Sequence, residues 1–230
     1  MDIFNEYVEV FANKIFQALI KEDRFTYLVS GLKISIEITL AAAVIGVFLG
    51  LLTAICKLRG KGPLAALANG YITVIRGTPA VVQLTVIYFV ILAKTGLPAF
   101  IIASISFGIN SGAYVAEIIR AGITAVDRGQ MEAGRSLGLS YAKTMIYIII
   151  PQAVKNVLPA LGNEFIVLLK ETSIAGYISI ADLNKGGQSI SSITYDYMVT
   201  ALLVAYIYLL MTTSMASAIN RLERRLHRSD

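Results

Sequence analysis

Three ionisable residues, Arg76, Glu117 and Glu164, stand within stretches that are otherwise almost wholly apolar. A charge in hydrocarbon is expensive, so a chain keeps one there where it faces a partner, a wet cavity or a solute path. Uncharged hydrogen-bonding residues accompany them, among them Asn69, Thr78, Gln83, Asn110, Ser111 and Asn163. Acids of this kind suit an ammonium or guanidinium, while Asn69, Asn163 and exposed helix ends suit a carboxylate. Asn69, Arg76, Thr78, Pro79, Asn110, Ser111, Glu117, Asn163 and Glu164 are therefore the candidate lining of a path for a zwitterionic solute. The competing reading is structural: Arg76 pairs with Glu117 or Glu164 and locks helices together. Lys33 and Glu37, one helical turn apart, read as a local pair.

The elements that hold these residues follow from composition. Of the 230 residues 56% are hydrophobic and only 15% charged, with a mean hydropathy of +0.69. A soluble domain is about a quarter charged, so disorder is excluded and an integral membrane protein is expected. Crossing the hydrocarbon takes roughly 20 mostly apolar residues. Five stretches qualify: 27–56, Leu64 to Ala93, Pro98 to Ile119, Val157 to Leu169 with its flanks, and Tyr197 to Asn220. The expected fold is all-α and polytopic, with five transmembrane helices over residues 25–220. Pro79 lacks an N–H and clashes with the preceding turn, so Gly77-Thr78-Pro79 should break the second span. A helix broken within the membrane presents backbone polar groups to a solute.

Twelve of the 20 basic residues fall in three regions on one side. These are Lys57, Arg59 and Lys61; then Arg120, Arg128, Arg135, Lys143 and Lys155; then Arg221, Arg224, Arg225 and Arg228. Lysine and arginine mark the cytosolic side, which puts the N-terminus outside and residues 221–230 inside as a basic tail. The formal charge of +5 is thereby a topology signal and calls for no nucleic acid. Residues 1–24 lack the basic start of a cleavable signal peptide. Phe4, Tyr7, Val8, Phe11, Ile15 and Leu19 share one helical face there, which reads as an amphipathic helix lying in the outer interface or packing on the bundle. In the first span Ala42, Gly46, Gly50 and Ala54 form a ladder of small residues that lets backbones approach closely, either between subunits or within one.

Nothing points to catalysis. Cys56 is the single cysteine and reads as a packing residue, and His227, the single histidine, as a solvated residue of the tail. Close-set histidine and cysteine ligands for a metal are missing. A phosphate-cradling loop needs two glycines five residues apart, with Lys and then Ser or Thr after the second. The nearest dipeptide, Gly60-Lys61, is followed by Gly62 and has Ile55 where the first glycine belongs, so any ATP would be bound by a separate subunit.

The segment between spans three and four, residues 127–150, is the most informative. Gly129 to Gly138 reads as a short helix ended by a glycine in the left-handed conformation, with Glu132 and Arg135 able to pair on one face. Ser140 is a plausible N-cap for the helix that follows. Two short helices joined by a glycine elbow make a knob suited to a groove on another protein.

This spacing resembles the EAA motif of ABC importer permeases: Glu-Ala-Ala, three residues, Gly, nine residues, Ile, one residue, Leu-Pro. Glu132-Ala133, Gly138, Ile148 and Pro151 match it; Gly134 stands for the third Ala and Ile150 for the Leu. Arg76-Gly77-Thr78-Pro79 with Gln83-Leu84, Ala113-Tyr114 with Ala116-Glu117, Arg120-Ala121-Gly122-Ile123, Gly129-Gln130 and Leu169-Lys170-Glu171-Thr172-Ser173 are similar to the polar amino acid (histidine/glutamine-type) branch. The resemblance covers about residues 26–220. It implies a non-enzymatic permease subunit of the bacterial plasma membrane, with Met131, Glu132, Ala133, Gly134, Arg135, Leu137, Gly138 and Leu139 coupling it to an ATPase. The partners it implies are two ABC ATPase subunits carrying ATP and Mg, a second copy of the permease or a close homologue, and an extracytoplasmic solute-binding protein. The solute would be a polar amino acid moved by alternating access. Glu117 belongs to the family pattern whatever the solute, so Glu164 is the better discriminator: an acid left over once Arg76 is matched favours arginine, lysine or histidine over glutamine or glutamate. A secondary transporter or channel would use the same intramembrane charges without the elbow, and a membrane scaffold would need no polar lining.

Overall fold

The computed structural model of the chain describes residues 2–58 and 60–226, apart from the side chains of residues 2–4 and 7. Arg59, His227 and Arg228, and the faces presented by Phe4 and Tyr7, lie outside the described residues. Among the described residues all regular structure is helical. In chain order the helices are α1 (Asp2–Ile15), α2 (Phe25–Leu58), α3 (Pro63–Arg76), α4 (Ala80–Val86), α5 (Ala99–Thr124), α6 (Arg128–Ser136), α7 (Tyr141–Thr144), α8 (Ile150–Glu171), α9 (Leu183–Thr194) and α10 (Tyr197–Leu226). In lipid each backbone N–H and C=O must be satisfied within the segment, which leaves the helix as the open-chain solution.

Four single segments are long and apolar enough to cross a bilayer: Phe25–Leu58, Ala99–Thr124, Tyr141–Ile178 and Tyr197–Leu226. The bent pair Pro63–Arg76 and Ala80–Ile91, which turns by 107° at its break, is the fifth candidate crossing. The break expected at Gly77-Thr78-Pro79 is thus present. The fourth span is longer than the 157–169 read from hydropathy, because it begins at Tyr141. Lys155 and two prolines dilute the apolar signal there, but the helix runs on with Pro159 inside it. A wider turn over Met145–Ile149 comes directly before Pro151, where the proline ring needs room against the preceding turn. The continuous helical segment that carries the fourth span thus starts inside the 127–150 segment, at Tyr141.

The small-residue ladder has an internal use. Ala42, Gly46, Gly50 and Ala54 are all buried, and the glycines face α5. A methyl group at Gly46 would lie 3.0 Å from Ser111 Cβ, and one at Gly50 only 2.5 Å from Val115 Cγ1. The two backbones approach so closely that a side chain larger than hydrogen has no space, which makes α2 and α5 one tightly packed pair. Ile38 and Ala42 of α2, Leu84 of α4, Ala103 and Phe107 of α5 and Leu168 of α8 fill the core beside them.

The stretch after α8, unassigned from sequence, folds back on the bundle as a tight turn over Thr172–Ile178 followed by α9. Two adjacent glycines and a run of serines hide α9 from propensity. Its N-cap is Asp182, whose carboxylate accepts from the backbone N–H groups of Asn184 (3.0 Å) and Lys185 (3.2 Å). Asp182 is fully buried, and burial pushes its carboxyl up to about 6 against the pull of those two N–H groups. The folded chain then binds a proton that the unfolded chain has released between about pH 4 and 6, so the contribution of Asp182 to stability falls as pH rises through that window. Asparagine caps as well and stays neutral. The melting temperature of Asp182→Asn relative to the native chain is expected to climb between pH 4 and 6 and level off above; a flat difference would contradict it.

Candidate functional site

The broken helix is repaired by one amide. Where α3 ends, Gly77 N–H donates to the Thr73 carbonyl and the Thr78 hydroxyl to the Val74 carbonyl. Pro79 donates nothing and stands extended at the start of α4. The buried Gln83 amide bridges the gap, donating to the carbonyls of Ile75 (2.7 Å) and Thr78 (2.9 Å), and its oxygen accepts from Asn110 Nδ2 (2.9 Å). A carbonyl orphaned in hydrocarbon costs several kcal/mol, and these bonds remove that cost. Gln83 stood in the motif but not among the predicted site residues; a glutamine four residues after a span-breaking proline was the available signal. Asn110, expected on the path, is 3% exposed and turns to Gln83.

Helix α5 carries the ionic part in one stripe, Ser111, Tyr114 and Glu117, one turn apart. The Ser111 hydroxyl donates to Glu164 Oε1 at 2.9 Å, which fixes the acid of α8 against α5. Two turns further on, Glu117 is an ionic hub. Lys57 from the end of α2 and Arg120 from the next turn (3.0 Å) both bond its carboxylate. Arg76, from the end of α3, stands 3.9 Å away and lies over the Tyr114 ring, 5.2 Å from its centroid. Of the two pairings open to Arg76, the structure makes the one with Glu117. Both Glu117 oxygens are engaged by protein cations, Lys57 of α2 and Arg120 of α5, with Arg76 of α3 beside them. Glu164 has no ion pair among the described residues. Lys33 and Glu37 stand 3.8 Å apart as expected.

The remaining predicted residues lie in the open. Asn69, Arg76, Thr78, Pro79 and Asn163 are exposed, Glu164 is half-buried, and Ser111 is covered behind it. Among the described residues α3 is open at Gly70, where a methyl group would meet no atom within 4 Å, and Asn69 beside it is exposed.

The elbow between α5 and α8 takes the shape its sequence implies. Asp127 caps α6 by accepting from Gly129 N–H, a cap not read from the sequence. At the other end Gly138 has φ +82°, its N–H donates to the Arg135 carbonyl, and Leu139 N–H donates to the Gly134 carbonyl. That pair of bonds is the closing motif of a helix whose first residue beyond the cap is left-handed. Ser140 Oγ accepts from Lys143 N–H and starts α7. Arg135 does not pair with Glu132: its guanidinium donates to the Leu139 carbonyl (2.8 Å) across the bend. Gly134 is buried, and a methyl group there would sit 2.5 Å from Thr144 Cγ2 and 3.2 Å from Ile148 Cδ1. The two limbs therefore clamp on the position where the motif has its third small residue. Outward, Leu137 is 82% exposed, and Glu132, Ala133 and Tyr141 are exposed as well, while Met131 and Leu139 are half-buried.

The family model described as the binding-protein-dependent transport system inner membrane component matches residues 46–228. The chain belongs to this family. It is the permease subunit of an ABC importer, a multi-pass protein of the bacterial plasma membrane whose ATP hydrolysis is carried out by separate subunits. The arginine transport system permease protein ArtQ of Bacillus subtilis (strain 168) is 38% identical over 209 residues, 89% of this chain and 94% of its own. The glutamine transport system permease protein GlnP of Escherichia coli (strain K12) is 36% identical over 202 residues, 86% of this chain and 92% of its own. In the crystal structure of an amino acid ABC transporter with histidines, one chain is 48% identical with a TM-score of 0.83, covering 87% of this chain and 94% of that one. The MetNI methionine ABC transporter shares the fold at 18% identity, with a TM-score of 0.76 over 90% of this chain and 99% of that one. The permease thus stands in the amino-acid branch of the family.

Proposed function

We propose that this permease carries a basic L-amino acid, with arginine the leading candidate, and that Glu164 is the group that selects it. The observation behind this reading is a charge balance. Glu117 is shared among Lys57, Arg120 and Arg76, which leaves Glu164 with no ion pair among the described residues while a serine hydroxyl holds it in place. A half-buried carboxylate beside an open polar face is the feature a guanidinium or ammonium side chain would neutralise. Arg76, Thr78, Asn69 and Asn163 would take the solute's carboxylate, and Glu164, held by the Ser111 hydroxyl, would meet its cationic end.

The same reading assigns the partners. Asn69 is exposed, and a second permease copy or a close homologue would complete the path. The elbow would dock in a cleft of each of two ATPase subunits, which hold ATP and Mg, with Leu137 as the foremost contact and Met131 to Leu139 forming the knob. A solute-binding protein would deliver from the opposite end. The excess of lysine and arginine around the elbow supports a cytosolic position for that end, with α1 lying in the outer interface, tethered by Lys14 to Asp196 (2.8 Å). Solute enters by rocking of one bundle against the other.

ATP hydrolysis by the reconstituted complex, with its binding protein, should be stimulated several-fold by arginine and little by glutamate. Equal stimulation by glutamine and arginine would move the assignment to the neutral polar amino acids. Uptake without any dependence on a motor subunit would instead make the chain a secondary transporter.

A further inference from the structure

Glu117 carries three cations on one carboxylate, and the three bonds are unequal. Lys57 and Arg120 lie within hydrogen-bonding distance; Arg76, at 3.9 Å, does not. Lys57 and Arg120 belong to α2 and α5, the pair locked by the close approach at Gly46 and Gly50, so their contact with Glu117 is built into a rigid unit. Arg76 ends α3 beside the 107° break, is 44% exposed, and rests on the face of Tyr114. One turn back from Tyr114 on the same stripe is Ser111, with Glu164 attached. Arg76 therefore lies between two acids and is held toward one of them by Glu117 and by the ring.

We infer that Glu117 is a positioning residue for solute selectivity: it detains Arg76, and thereby keeps the charge of Glu164 available to the solute. This inference rests on the reading of Glu164 given above. The physical reason is that an arginine in a low-dielectric site moves toward the nearest uncompensated carboxylate. With Glu117 neutralised, Glu164 is the acid Arg76 can reach along the face of Tyr114. An Arg76–Glu164 pair would satisfy both charges internally and leave a site with no preference for a cationic side chain. Glu117 touches no solute in this scheme; it acts through Arg76.

Uptake of arginine and of glutamine by the complete transporter in proteoliposomes separates this role from a structural one, because the two solutes share their backbone groups and differ in side-chain charge. Glu117→Gln is expected to lower the ratio of arginine to glutamine uptake about tenfold, the scale of one partly exposed ion pair. Glu117→Asp, which keeps Lys57 and Arg120 but withdraws from Arg76, should lower it about threefold, and this variant carries the test if the glutamine variant does not assemble. Adding Arg76→Gln to Glu117→Gln removes the cation that would occupy Glu164 and should restore the ratio even though total uptake stays low. A loss of both solutes in equal proportion, with the ratio unchanged in the Asp variant, would overturn the inference and leave Glu117 a purely structural tie. Glu164→Gln serves as the control: if it alone leaves the ratio unchanged, the assignment of Glu164 fails, which is a different result from failure at Glu117.

Discussion

Glutamine in place of Glu164 is expected to reduce arginine uptake about 10- to 100-fold while changing glutamine uptake less than about threefold. A hydrogen bond to a charged group contributes roughly 1.5–3 kcal/mol net, and each 1.4 kcal/mol is a factor of ten in affinity. The substitution preserves shape and the bond from the Ser111 hydroxyl, so the packing of α8 on α5 should survive and the loss should appear in the half-saturating concentration of the basic solute. The direction follows from the ionic arrangement: Arg76 stands 3.9 Å from Glu117, and a variant at Glu164 breaks no ion pair among the described residues. Arginine uptake with unaltered half-saturation would end the proposal that this acid recognises the side chain. Lysine and histidine should follow arginine in rank if charge is what the site reads.

The second large effect is expected at the elbow. Valine in place of Gly138 should lower solute uptake more than tenfold while the basal ATP hydrolysis of the assembled complex stays within about threefold. The residue stands at φ +82° with open space around it, so the obstacle is the backbone and not a clash. A β-branched residue held there costs on the order of 1–2 kcal/mol or more. That is comparable to the bonds from Gly138 N–H to the Arg135 carbonyl and from Leu139 N–H to the Gly134 carbonyl that close α6. The chain is expected to relieve the strain by opening the bend and displacing Leu137, the foremost exposed side chain. Asparagine tolerates the left-handed region better and should retain much of the uptake. Parallel measurement of transport and hydrolysis distinguishes loss of coupling from loss of assembly, and a valine variant with normal solute-stimulated hydrolysis would show that the elbow's shape is not what the motor grips.

Much of this permease is written in one dimension. Hydropathy located the crossings because a bilayer admits only helices long enough to span it. The position of the break followed from Pro79 alone, since a missing N–H is a local defect. The elbow was legible for the same reason: a glycine needed at positive φ and a serine at an N-cap are requirements of two or three neighbouring residues. Where local signals conflicted, the reading fell short. The fourth span was placed too late because hydropathy averages over Lys155 and the prolines, whereas a helix tolerates them once a widened turn accommodates the ring. Helix α9 escaped because its stability comes from a buried cap and from contact with α2 and α10, not from its own glycine- and serine-rich composition.

What remained open was pairing. The sequence by itself determined that Arg76, Glu117 and Glu164 must each face a partner, a wet cavity or a solute path, and that Ala42, Gly46, Gly50 and Ala54 form a face for close approach. Tertiary structure decided which partners those are: Glu117 for Arg76, α5 for the small-residue ladder, Gln83 for the carbonyls at the break, and, among the described residues, the Ser111 hydroxyl but no ion pair for Glu164. The physical reason is that solvation cost belongs to a residue and can be read from its type. The partner that offsets that cost depends on distances across helices far apart in the chain, and those exist only once the bundle has formed.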